Sequence, residues 1–247
     1  MLAAVRTARA TVRSLRIYYG NGARAAAMDR LYRDFVQAGD LVFDVGAHVG
    51  DRTASFRRLG ARVVAVEPQR AMTWVLRLLY GLSREVMIEG VAVGSKPGRA
   101  RMLINADNPT VSSVSAAFVD AARGAPGWET QRWTNSAEID VTTLDALIAK
   151  HGRPAFIKLD VEGFEAEALR GMSRAVRALS FEFTTIQRQV AFACVERCKA
   201  LGYTRFNAAL GESQALVSEW MDANHMTGWL AELPQSANSG DVYAVAG

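Results

Sequence analysis

From residue 40 onward the chain alternates short apolar runs with stretches of helical length. This is the pattern of a parallel sheet whose strands are joined by crossover helices. Leu41–Val45 is an apolar run ending in a glycine-containing turn, and Asp51–Leu59 reads as a helix stopped by Gly60. Arg62–Val66 gives a second strand, residues 70–82 a helix, and Val86–Val93 a third strand. Arg101–Ile104 and Ile139–Val141 predict extra strands around an insertion near 105–137, whose mixed Asn, Ser, Pro and Trp content reads as ordered loop. Thr142 and Asp145 form a capping box for a helix ending before Gly152. Strand Ala155–Leu159, helix Phe164–Met172, strand Leu179–Phe183 and helix 186–201 follow, and Tyr203–Leu210 and Asp241–Val245 are the last two strands.

Residues 1–39 have a different character. They contain no proline and many alanines, and Arg6, Arg9, Arg13 and Arg16 form one stripe at helical spacing. The segment reads as a helical N-terminal extension packed on a domain spanning 40–247. A peripheral membrane contact or targeting role is the competing reading, and the long apolar core and cleavage site of a secretory signal are missing. No apolar run is long enough to span a membrane.

The formal net charge of +4 hints at nucleic acid, but five of the 29 basic residues lie in the first 24 positions, which hold no acid. The remaining body is close to neutral, whereas a nucleic-acid enzyme carries its basic footprint over the catalytic face. Cys194 and Cys198 form neither a disulfide framework nor a zinc site and fit two small buried residues in a reducing cytoplasm.

The strongest chemical signal is Asp44-Val45-Gly46-Ala47-His48-Val49-Gly50 at a strand-to-helix turn. Glycine admits close backbone approach, and the following helix start offers free N–H groups. Glu67 ends the second strand and Pro68 follows it, where an acid accepts hydrogen bonds from ribose hydroxyls. The glycines do not fit a dinucleotide site, because His48 stands where the G-x-G-x-x-G fingerprint needs its second glycine. S-adenosylmethionine has no phosphate, and its ammonium and sulfonium centres suit an acid at position 44. Thr53 and Ala92 complete the expected cofactor set. A second signal is Lys158-Leu159-Asp160-Val161-Glu162-Gly163, a strand expected to be buried that ends in two acids. Helix capping explains one acid better than both.

Phe43-Asp44-Val45-Gly46-Ala47, Val66-Glu67-Pro68, Thr143-Leu144-Asp145 and Lys158-Leu159-Asp160-Val161-Glu162-Gly163 together resemble the FkbM family of methyltransferases. The resemblance runs in order from residue 40 to 185 and more weakly to the end. It implies a Rossmann-like class I methyltransferase fold of the α/β class, with a mostly parallel seven-stranded sheet and helices on both faces. It also implies S-adenosylmethionine as donor and a hydroxyl of a carbohydrate or natural product as acceptor. Asp44, Gly46, Gly50 and Glu67 would belong to the cofactor site, with Asp160 and Glu162 beside the reacting centre. His48 departs from the family, which commonly has Asn there.

The turn Asp160-Val161-Glu162-Gly163 lacks the Pro-Pro-aromatic signature of amino-group methyltransferases, which favours oxygen and disfavours exocyclic amines of nucleic acid. Asp160, Glu162 and Glu182, in the strand Leu179–Phe183, are the expected catalytic acids, Asp160 also touching cofactor. Asn105–Ser115 and Trp128–Trp133 offer amides, hydroxyls and aromatics suited to a small-molecule or glycan acceptor. A divalent metal bridging the three acids to the acceptor is the alternative, although no clear ligand set is evident. The competing readings are an NAD-linked oxidoreductase and a non-catalytic binding scaffold.

Overall fold

Leu41–Val45 (β1) is buried at every position, as an apolar run must be when helices cover both faces of its sheet. The computed structural model describes residues 2–247; the first residue of the expected helical extension lies outside them. β1 pairs in parallel with Arg62–Val66 (β2) on one side and Phe156–Leu159 (β7) on the other. Val86–Glu89 (β3) extends the sheet beyond β2, and Ala178–Thr184 (β8) extends it beyond β7, both in parallel. Ser239–Ala246 (β10) runs antiparallel between β8 and Tyr203–Leu210 (β9). The order is β3-β2-β1-β7-β8-β10-β9, so the connections reverse direction at β1, and the C-terminal ends of β1 and β7 bound the crevice at that switch point.

Asp51–Arg58 (α3), Arg70–Tyr80 (α4), Leu144–His151 (α6), Glu165–Arg170 (α7) and Arg188–Leu201 (α8) are the helices the sequence pattern predicts. One face of the sheet packs Phe43, Leu159 and Phe181 against Leu169, Cys194 and Cys198. The other packs Val42, Phe156 and Tyr243 against Tyr32, Phe35 and Phe56. Both cysteines are buried and free.

Several boundaries move for identifiable reasons. The continuous helical pattern of 1–39 breaks into Leu2–Tyr19 (α1) and Gly22–Tyr32 (α2), because the Asn21 side chain accepts from the Arg24 N–H and starts a new helix. The run Val86–Val93 divides near Gly90: Ala92–Val93 (β4) leaves the main sheet and joins a three-stranded one, β4-β6-β5, with Asn135–Thr142 (β6) and Gly98–Ile104 (β5). Both halves include buried positions, so hydropathy alone does not mark the change of partner. Thr143, one residue after the expected Thr142, caps α6 by accepting from the Ala146 N–H, and Asp145 instead accepts from the Ser173 N–H. Two short helices, Ala116–Ala122 (α5) in the insertion and Ala223–Glu232 (α9), have too few turns to show a period.

Candidate active site

The turn after β1 is held by backbone contacts. Gly46 and Ala47 N–H both donate to the Val66 carbonyl, and Gly46 adopts φ +85°, with the Asp160 carbonyl where a Cβ would lie. The glycine at 46 thus answers to the neighbouring β7 turn, a requirement the sequence reading assigned to a ligand. His48, at φ 48°, donates its N–H to Glu67 Oε2 at 2.9 Å, while the Gln69 N–H donates to Oε1 at 2.8 Å. Burial pushes Glu67 up to about 7, even with these two donors opposing it.

Asp44 is buried and accepts the Thr53 hydroxyl at 2.5 Å. Burial raises it to about 6 against that hydrogen bond. Its register partner on β7 is Lys158. The fully buried ammonium of Lys158 reaches past β8 to Asp241 on β10 at 2.5 Å and lies 3.3 Å from Asp160. Burial disfavours that ammonium, but Asp160 and Asp241 outweigh it and hold Lys158 well above the usual lysine range.

After β7 the chain turns through Glu162 at φ 55° and Gly163 at φ 85°. Glu165 fixes this turn, its Oε1 accepting the N–H groups of Val161 at 2.9 Å and Gly163 at 3.3 Å. The Ser113 hydroxyl donates to the Glu162 carbonyl at 2.6 Å, joining the insertion to the site. The result brings Asp160, Glu162 and Glu182 together, with one carboxylate oxygen of each within 4.8 Å of the others. Burial first, then the charge of Asp160, raises both Glu162 and Glu182 well above the ordinary carboxylate range. Glu182 joins the cluster through the parallel β7–β8 pairing, the strand adjacency expected of the sheet.

One cavity collects most of the expected residues: Asp44, Gly46, His48, Glu67, Pro68, Ala92, Asp160, Glu162 and Glu182 all line it. Three do not. Ala47 packs with Ala65, Leu76 and Val86; Gly50 caps α3 beneath Leu76 and Tyr80; Thr53 stands behind Asp44. These shape the wall from behind.

Trp128, from the aromatic segment expected near the acceptor, lines the cavity, and four further lining residues were not foreseen: Tyr18 of α1, Arg52, Glu212 after β9 and Asn238 before β10. Arg24 stacks over the Tyr18 ring at 5.0 Å, and Arg24 and Arg52 both pair with Asp51 and Glu212. Trp128 packs edge-on against Phe118 and donates its indole N–H to Asn238 at 3.2 Å, so it serves both the cap core and the cavity. Of the described non-glycine residues with positive φ, His48, Glu162 and Asn238 line this cavity. Such backbone concentrates where a site demands it. His48 and Glu162 belong to motifs the sequence marks, whereas Asn238 reaches the cavity from the far end of the chain with no local sequence mark.

The fit to S-adenosylmethionine can be judged from donors and charges. His48 Nε2 is buried without a hydrogen-bond partner, and burial lowers the ring to about 4, leaving it neutral. Asp44, Glu67 and Asp160 give the lining an acidic character suited to a cationic ligand, and no glycine-rich phosphate cradle is formed at position 48.

A seven-stranded, mostly parallel sheet with this crevice at its switch point has the Rossmann-like architecture of class I methyltransferases. The model of the methyltransferase FkbM domain matches residues 44–233, and the chain belongs to that family. Among solved structures it is similar to the TehB-like SAM-dependent methyltransferase from Corynebacterium glutamicum ATCC 13032 Kitasato, with 12% identity, 99% of each chain covered and a TM-score of 0.51. It is also similar to the O-methyltransferase from Bacillus cereus in complex with SAH, with 11% identity, 97% of this chain and 91% of that chain covered and a TM-score of 0.49. These likenesses are of fold. No curated protein matches the chain.

Proposed function

We propose that the protein methylates a hydroxyl oxygen of a polyhydroxylated small molecule or glycan. The observation that carries this reading is the cluster of Asp160, Glu162 and Glu182 at the tips of β7 and β8. S-adenosylmethionine, when bound, supplies a methyl group on a sulfonium. An alcohol is a poor nucleophile at neutral pH and needs a group to take its proton as the new bond forms. Burial raises the proton affinity of Glu162 and Glu182 above that of an ordinary carboxylate, and the ionised form of either can take that proton. Asp160, tied to Lys158, orients the acceptor or the cofactor. Glu67 takes the ribose hydroxyls through the lone pairs its two N–H donors leave free. Trp128, Asn238 and Thr110 supply the aromatic face and polar edges a sugar would meet.

The same three carboxylates support a second reading, an oxygen-ligated divalent cation that positions the acceptor hydroxyl. The deciding experiment measures S-adenosylhomocysteine release against a panel of sugars and hydroxylated natural products, with and without a chelator. Glu162→Gln and Glu182→Gln are assayed beside the wild type. Turnover lost in at least one variant but insensitive to chelator supports the acid–base reading, and chelator-sensitive turnover supports the cation. Full turnover in both variants, with normal cofactor binding, overturns both.

A further inference from the structure

Among the described residues, every strongly exposed large hydrophobic side chain except Val217 lies on α1 or on α4 and the turn after it. On α4, Trp74 and Leu78 stand one helical turn apart and are 67% and 72% exposed, and Leu82 just beyond is fully exposed. Val12 of α1 meets this stripe across a shallow groove lined by Thr7, Ala8, Thr11, Ala71 and Trp74. A contiguous apolar surface of this kind marks a docking site.

The two segments that build it carry charge of one sign, the nearest acids being Asp107, paired with Arg6, and Glu85 beyond Arg84. Residues 1–28 and 68–84 contain no Asp or Glu. Arg9 and Arg16 on α1, Arg70 and Arg77 on α4, and Arg84 after it are exposed, and none is in an ion pair among the described residues. Protruding aliphatic side chains and an exposed Trp beside unpaired arginines match the two layers of an anionic bilayer, acyl chains below and headgroups above. The helix pair also borders the catalytic cavity, since Tyr18 belongs to α1 and Pro68 and Gln69 lead into α4.

We propose that the α1–α4 face docks on anionic lipid bilayers, Trp74, Leu78 and Leu82 entering the interface and the arginines engaging headgroups. Docking would bring the cavity-lining residues at the start of α4 beside the headgroup layer. This stands apart from the acceptor assigned above and does not depend on it.

The test is co-sedimentation of the full chain with phosphatidylcholine vesicles, with and without phosphatidylglycerol, over a range of salt. Binding is expected only with phosphatidylglycerol, falling as salt rises. Arg70→Ala and Arg77→Ala should each weaken it roughly fivefold, the equivalent of about 1 kcal/mol per basic residue at a charged surface. Trp74→Ser with Leu82→Ser should abolish it, while thermal stabilisation by S-adenosylhomocysteine persists in every variant and certifies the fold. Absence of wild-type binding, equal binding to pure phosphatidylcholine, or binding indifferent to these substitutions overturns the proposal. So does a concentration-dependent dimer in sedimentation that Trp74→Ser dissolves, which would give this face to a second copy of the chain.

Discussion

The Lys158 ammonium stands between two carboxylates, 2.5 Å from Asp241 and 3.3 Å from Asp160, and thereby ties β10 to the acid at the tip of β7. Removing one member of a buried pair strands the other charge, which costs about 3–5 kcal/mol. Lys158→Met should lower unfolding free energy by about that much in urea titrations. Adding Asp241→Leu should restore a substantial part of it, because the stranded carboxylate is then gone. Equal stability of the single variant and wild type would show that the pair is not desolvated.

Burial and the Asp160 charge make Glu182 hold its proton more tightly in the folded chain than in the unfolded one. A raised carboxylate contributes stability fully below its unfolded value, about 4.5, and loses it as pH rises through the folded one. Glu182→Gln is fixed in the neutral form and escapes this loss. The expected result is a melting temperature close to wild type at acid pH and a gap in favour of the variant that widens toward pH 8. If the gap narrows instead, the carboxylate is stabilised as an anion and the base assignment loses its footing.

Glu67 accepts two backbone N–H groups from the segments that flank it. Glu67→Ala should weaken S-adenosylhomocysteine binding by about 1–3 kcal/mol, the cost of leaving buried polar partners unsatisfied. Calorimetric titration checks this, and unchanged affinity in a folded variant would remove Glu67 from the cofactor site.

The extension is part of the cavity wall. The Tyr19 hydroxyl lies 2.8 Å from the Gly50 carbonyl and 3.0 Å from the Tyr80 hydroxyl, and Tyr18 lines the cavity. Removing residues 1–20 should therefore cut S-adenosylhomocysteine affinity roughly tenfold, about the worth of one hydrogen bond with its packing. Calorimetry on the truncated chain measures it; undiminished affinity would make α1 a mere covering.

The main sheet was legible because its central strands are short, mostly apolar runs bounded by glycine or charge, and β1, β2 and β9 match their expected bounds. The acids at 44, 67, 160 and 162 were legible because charges at the ends of buried strands need a reason. What the sequence concealed depends on contacts between distant segments. Tyr18 and Glu212 reach the cavity through α1 and the loop after β9, and each looks like an ordinary surface residue in its own neighbourhood. Thr53 and Gly50 were read as ligand contacts because motif spacing reports proximity in the chain and not which side of a wall a side chain occupies.

At Gly46 the Asp160 carbonyl fills the place of a side chain. The turn after β1 and the turn after β7 are therefore mated main chain to main chain, with no rotamer between them to adjust. Their spacing is a constant of the scaffold, fixed before any substrate arrives. The joint leaves no slack for reshaping the cavity, and that freedom lies in the pieces laid over it, the segment 105–137 and the N-terminal helix. The centre keeps a fixed spacing, and the periphery sets the shape of the opening above it.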